Sequence, residues 1–134
     1  MKLSRTVAYA VQATLQLAEA ESLSPVPCSR LAAEGHLPER FLLQILRHLV
    51  NRGILHSTRG VEGGYRLDRQ PSEISLLDVM EAIEGPQNWE LPAGHEEATQ
   101  FASRLRDALD QISQNFRRDL EAIKLSDLMS PPLS

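Results

Sequence analysis

Cysteine is nearly absent from this chain. Its one example, Cys28, excludes an intrachain disulfide and cannot supply a cysteine-rich zinc or iron–sulfur site within one polypeptide. Aromatic residues are scarce, at 4%. The core must therefore be built from Leu, Ile, Val and Ala, a composition that suits helices packed on helices and disfavours an extensive all-β fold. A run of about 18 apolar residues is also missing, and the start, M-K-L-S-R-T-V-A-Y-A, has neither the apolar stretch nor the cleavage site of a signal peptide. The reading from these absences is a cytoplasmic protein with no membrane partner. Nucleophile–base pairings, a P-loop and a Rossmann fingerprint are lacking too, which points away from an enzyme.

What is present suits a small folded domain. The 134 residues are 42% hydrophobic and 24% charged, far from the composition of disorder, and they suffice for one domain with room for an appended arm. The net charge of −4 argues on its face against a nucleic-acid partner, but it hides an asymmetry. Between Pro27 and Arg69 seven arginines face four acids, a local net of +3, whereas Gln87 to Ser134 carries −3.

Ser4 is placed to cap a first helix in which Val7, Val11, Thr14 and Ala18 recur at helical spacing, ending near Ala20. The stretch S-L-S-P-V-P at Ser22–Pro27 breaks it. A short helix is predicted from Cys28 to Glu34, with Leu31 and Ala32 inward, then a tight turn at Gly35-His36. Pro38 opens the next helix, which runs to about Arg52 and stops at Gly53. Its Leu42, Ile45, Leu46 and Leu49 form a buried stripe, and its opposite face carries Arg40, Leu43, Gln44, Arg47 and Asn51. Two short strands, I-L-H-S-T and Y-R-L, flank the glycine turn R-G-V-E-G-G and read as a hairpin ended by Pro71. Ser75 and Asp78 make a capping box for L-L-D-V-M-E-A-I-E, which Gly85-Pro86 terminates.

Residues 87–95 read as a linker or surface loop. Beyond it, helical spacing is kept from Ala98 through Phe101, Leu105, Leu109, Ile112, Phe116 and Leu120 to Ile123, and the helix is assigned to 96–128, with 129–134 a frayed tail. So long an amphipathic rod cannot bury its stripe against a small domain alone. Phe101, Leu105, Leu109, Ile112, Phe116 and Leu120 are therefore assigned to a homodimer interface.

Short helix, tight turn, longer helix and glycine-tipped hairpin follow one another in the order of a winged helix-turn-helix, so the fold class is mainly α, with a small β-hairpin wing on residues 1–86 and a long C-terminal dimerisation helix. A recognition helix must show polar and basic groups opposite its core stripe, as Arg40, Gln44 and Arg47 do. A wing must bring backbone close to a phosphate or into a narrow groove, which favours Gly60, Gly63 and Gly64, while Arg59 supplies a cation drawn to minor-groove potential. A basic residue on a helix is usually only a solvated face, and a glycine hairpin usually only a turn; it is their succession that carries weight.

Three stretches, M-K-L-S-x-x-x-x-Y-A at the start, F-L-L-Q-I-L at Phe41–Leu46 and above all R-G-V-E-G-G-Y-R-L at Arg59–Leu67, resemble the Rrf2 family of bacterial winged-helix transcription regulators. Further similarity lies in I-S-L-L-D-V-M-E-A-I-E-G-P at Ile74–Pro86 and L-S-D-L at Leu125–Leu128. The resemblance implies a homodimer joined through the C-terminal helix and bound to an imperfect palindrome in double-stranded DNA, with recognition helices in major grooves and wings in adjacent minor grooves. On that footing Arg40, Gln44 and Leu43 read bases, Arg59 enters the minor groove with Gly60, Gly63 and Gly64 around it, and Lys2, Arg5, Arg47 and Tyr65 help position the backbone.

The departures from the family matter as much. Members that hold an iron–sulfur cluster place three cysteines in the segment matching Gln87 to about Leu105, where this chain has none, and the position of an additional acidic ligand is occupied by Ala8. The expectation is a cluster-free regulator with no cofactor and no metal, acting as a repressor. Leu43 stands where relatives often have Glu, and Val61-Glu62 replaces the usual small or Pro-Gly pair, putting an acid close to DNA.

Other groups admit two readings. Cys28 lies near a helix N-terminus, which can lower a thiol pKa and make a sensor, although a lone cysteine is more often a small packed hydrophobe. His36, His48, His56 and His95 show no metal-ligand spacing; His95 with Glu96 and Glu97 is the nearest approach to a ligand cluster. Trp89 either lines a pocket for an unidentified effector or plugs the linker. The competing function is a protein-interaction module that docks on a metabolic enzyme, with DNA binding secondary or lost.

Overall fold

The computed structural model describes residues 2–20, 24–91 and 100–131. Helix α1 (Arg5–Glu19) starts where the Ser4 hydroxyl accepts the Val7 amide hydrogen at 3.1 Å, and it buries Val7, Ala10, Ala13, Thr14, Leu17 and Ala18. Thr14 is apolar in effect, because its hydroxyl donates to the carbonyls of Ala10 and Val11 in its own helix. The small alanines let α2 (Cys28–Gly35) and α3 (Glu39–Asn51) approach closely.

Pro38 is the N-cap of α3 rather than its first helical residue, with ψ at 116°. The turn between α2 and α3 inverts the usual distribution of labour. His36, not glycine, takes the left-handed conformation at φ 54°, while Gly35 remains helical. A side chain at Gly35 would strike Gln12 and Gln16, whose amide groups reach across from α1 to the Gly35 and Leu31 carbonyls. Helix α3 then buries Leu42, Ile45, Leu46 and Leu49 at the centre of the core and stops before Gly53, at φ 75°.

Strands β1 (Leu55–Thr58) and β2 (Gly64–Leu67) pair antiparallel, Leu55 opposite Leu67 and Thr58 opposite Gly64. The segment read as a plain helix breaker has a second task. Val26 exchanges two backbone hydrogen bonds with Tyr65, at 2.8 and 2.9 Å, which joins the stretch entering α2 to the outer edge of the wing. After a 3-10 turn at Pro71–Glu73, α4 (Leu76–Glu84) begins with both hydrogen bonds of the Ser75–Asp78 capping box and ends at Gly85.

Helix α5 (Gln100–Ala122) has 23 residues, about 35 Å of rod. Residues 96–99, assigned to its beginning, lie outside the described residues, as do His95 and the last three residues of the tail. Its far end differs from the expectation of one helix to 128. The helix ends at Ala122; Lys124 bridges to Ser75, and α6 (Leu125–Leu128) is a separate turn. The Leu125 amide donates to the Ile74 carbonyl and the Leu76 amide to that of Ile123, while the Leu125 side chain is 0% exposed in the core. The chain is therefore held to the domain beyond the end of α5 as well.

Candidate nucleic-acid interface

With Leu42, Ile45, Leu46 and Leu49 turned inward, helical spacing leaves Arg40, Gln44, Arg47 and Asn51 exposed on the outer face of α3 and Leu43 half-buried beside them. Among the described residues, none of Arg40, Gln44 and Arg47 makes a hydrogen bond or ion pair, in contrast to Arg30, Arg69 and Arg117, which are held by Glu34, Asp78 and Glu81. Three polar side chains on one helix face are thus uncommitted. Lys2 and Arg5 are exposed at the start of α1. Arg5 lies one turn before Tyr9, whose ring meets Phe41 edge-on at 6.1 Å, so it sits toward the N-terminal end of α3.

The wing stands on the other side of a cleft of about 400 Å³, lined by Cys28, Arg47, Asn51, Arg59, Gly60 and Tyr65 among others. Arg59 is exposed and likewise unpaired among the described residues. The glycines divide into two kinds. Gly60, at φ 112°, has open space where a side chain would go, whereas a Cβ on Gly63 would collide with the Thr58 carbonyl and one on Gly64 with Val26 and Pro27. Gly63 and Gly64 are therefore required by the wing's own packing. Gly60 has no such clash, and all three glycines line the cleft. Tyr65 is half-buried rather than free: its phenol is pushed up by burial and by Cys28, an effect that Arg47 opposes.

Cys28 occupies the first turn of α2, half-buried, with its Sγ 3.7 Å from the Glu39 carbonyl. Burial and the Glu39 carboxylate push the thiol up, so the lowering expected from a helix N-terminus does not prevail. The pairing of Val26 with Tyr65 makes the entry to α2, the cleft and the wing one unit. Nothing local in the sequence signals that contact, which spans 39 residues of chain.

On α5, Phe101, Leu105 and Ile112 are 79%, 50% and 48% exposed, while Leu109, Phe116 and Leu120 are half-buried. The half-buried three lie between that exposed edge and the face that meets α4, where Ser113 is buried and Arg117 pairs with Glu81. The Trp89 amide donates to Ser113 Oγ at 2.7 Å, and the 44% exposed indole borders a cleft with Asn88, Glu90, Asp110 and Gln114. His95, Glu96 and Glu97 lie outside the described residues; among those described, no three His, Cys, Asp or Glu side chains are grouped to hold a metal ion.

Comparison with known proteins gives the same arrangement a wider setting. An HTH-type transcriptional regulator of Mycobacterium tuberculosis is 44% identical over 86 residues, 64% of this chain; the match spans 53% of that relative, about half its length. The regulator CymR of Bacillus subtilis is 30% identical over 132 residues, 97% of this chain and 91% of its own. The solved structure of that CymR superposes with a TM-score of 0.77 at 26% identity, covering 96% of this chain and 95% of the other. An IscR structure from T. potens gives 0.73 at 27% identity, covering 96% and 85%. The family model described as "Iron-dependent Transcriptional regulator" matches residues 3–131, and the chain belongs to this family, Rrf2, whose members are transcription regulators and not enzymes.

Proposed function

We infer that this protein is a homodimeric, sequence-specific DNA-binding transcription regulator that represses its targets by occupying an imperfect palindrome. The observation that carries the reading is the uncommitted set Arg40, Gln44 and Arg47 on the outer face of α3, beside a cleft whose far wall holds the equally uncommitted Arg59. In a folded state, unpaired guanidinium groups gathered on one surface are stabilised by an anionic partner, and phosphates flanking a major groove supply one. The amide of Gln44 adds a group able to pair with adenine. Repression needs no activity beyond occupancy of promoter DNA. No helix among the described residues is long and apolar enough to cross a membrane, which fits action on DNA in the cytoplasm.

The dimer rests on Phe101, Leu105 and Ile112, an apolar edge that water would otherwise cover. Iron dependence is a property of the family description, and the donor set of this chain does not fit an iron–sulfur cluster. Such a cluster needs several thiolates. The one thiol here belongs to Cys28, on the cleft beside α3 and not in the segment after α4. The regulator is accordingly read as cluster-free, its signal coming from another effector.

Selection of bound sites from random duplex DNA by the purified protein tests the reading. A two-fold symmetric motif should emerge, with half-sites about one or two helical turns apart and a steep fall of log affinity with log salt. Failure to enrich any motif, with salt-independent capture of a protein instead, would make the chain an interaction module that docks on an enzyme.

A further inference from the structure

The tip of the wing carries a group that a minor-groove reader would not be expected to carry. The Gly63 amide donates to the Gly60 carbonyl at 3.0 Å and closes a tight turn whose two central residues are Val61 and Glu62. Val61 is fully exposed, at 107%, and Glu62 is exposed and makes no hydrogen bond or ion pair among the described residues. Arg59 lies just before the turn. The base of the wing is anchored to the segment entering α2, because Gly64 packs against Val26 and Pro27 and Tyr65 is hydrogen-bonded to Val26.

An ionised carboxylate only accepts hydrogen bonds. In the minor groove, A·T and T·A pairs show only acceptors, and the sole donor on any base pair is the N2 amino group of guanine. Glu62 therefore has a partner over G·C and only repulsion over A·T. Groove shape acts in the same direction, since narrow A-tract grooves hold the most negative potential. Arg59, of opposite charge, has the opposite preference.

We propose that Glu62 is a specificity-determining residue that makes the wing tip select a G·C pair in each operator half-site, next to the A·T-rich groove favoured by Arg59. The proposal rests on the DNA-binding reading above and adds to it which base pair the wing demands and by which chemical group.

Parallel site selections with the wild-type protein and Glu62→Gln test it, followed by titrations on the wild-type operator carrying two base analogues. Inosine opposite cytosine removes the N2 amino group while keeping the major-groove face of G·C; 2,6-diaminopurine opposite thymine adds that amino group to an A·T-like pair. Wild type should lose about tenfold in affinity on the inosine duplex and recover it when diaminopurine·T replaces A·T at that position. Glutamine both donates and accepts, so Glu62→Gln should discriminate less than about twofold and bind A·T duplexes more tightly than wild type does. Equal guanine-to-inosine ratios for the two proteins, with operator binding intact, would overturn the role of Glu62 and leave the regulator reading standing. Absence of any selected duplex for both proteins would overturn the two together.

Discussion

Arg59 and Gln44 are both exposed and unpaired among the described residues, yet their chemistry predicts different losses on removal. Gln44→Ala should relax preference at one base position per half-site, at a cost of about 1–3 kcal/mol, because a bidentate amide contact is specific to one base. Arg59→Ala should weaken binding most where the flanks are A·T-rich and reduce the salt slope by about one unit, as expected for a lost phosphate neutralisation. Titrations of both variants against a small operator panel at several salt concentrations separate these outcomes. Cys28 gives a third expectation at this scale. Burial and Glu39 favour its neutral thiol, so at pH 7 alkylation should be slower than that of an unhindered thiol, and its rate should still be climbing with pH where an ordinary thiol's has levelled off. A rate above that of free cysteine at neutral pH would contradict it. The sequence reading left Cys28 open between sensor and packed side chain because thiol reactivity depends on Glu39, which only the fold brings alongside.

Among the elements, the legible ones are those whose burial is periodic within a single segment. The stripe of α3, the capping box of α4 and the hairpin all follow from local spacing, and each stands where it was expected. What escaped were contacts between distant segments. Two prolines made the stretch before α2 look like a mere breaker, although its Val26 pairs with Tyr65. Apolar spacing that continues through Leu120 and Ile123 made α5 look unbroken, although the backbone turns at Lys124 to place Leu125 against Ile74. Periodicity cannot reveal such a turn, since a leucine on a helix stripe and a leucine docked in a distant core have the same spacing. The docked residue has an energetic signature. Leu125→Ala should destabilise the protein by about 2–5 kcal/mol in urea titrations, as a fully buried leucine does, whereas Leu128→Ala, 43% exposed, should stay within about 0.5 kcal/mol. Equal effects would mean that α6 does not hold the end of α5 to the domain.

For the whole molecule, this latch changes how the dimer must be tested. Removing everything from residue 96 onward would abolish the apolar stripe but would also extract Leu125 from the core, so loss of DNA binding could follow from unfolding alone. Substitutions on the exposed edge avoid that difficulty. Leu105 and Ile112 project from α5 away from the Ser113 and Arg117 face that meets α4, so a charge on either should leave the domain intact. If two copies bury this edge, each apolar side chain contributes about 1.5–3 kcal/mol, and two carboxylates facing their copies across a two-fold axis cannot be accommodated. Leu105→Glu with Ile112→Glu should therefore sediment as a folded monomer at concentrations where wild type is a dimer. Affinity for a full palindrome should fall by about 10²–10⁴-fold, the factor that tethering the second half-site supplies, while affinity for one half-site changes little. The half-site measurement separates the two causes, because a damaged recognition helix would weaken both duplexes alike. A double variant that remains dimeric would show that the exposed edge of α5 is not the interface, and the pairing of recognition helices on a palindrome would then need another surface to hold them.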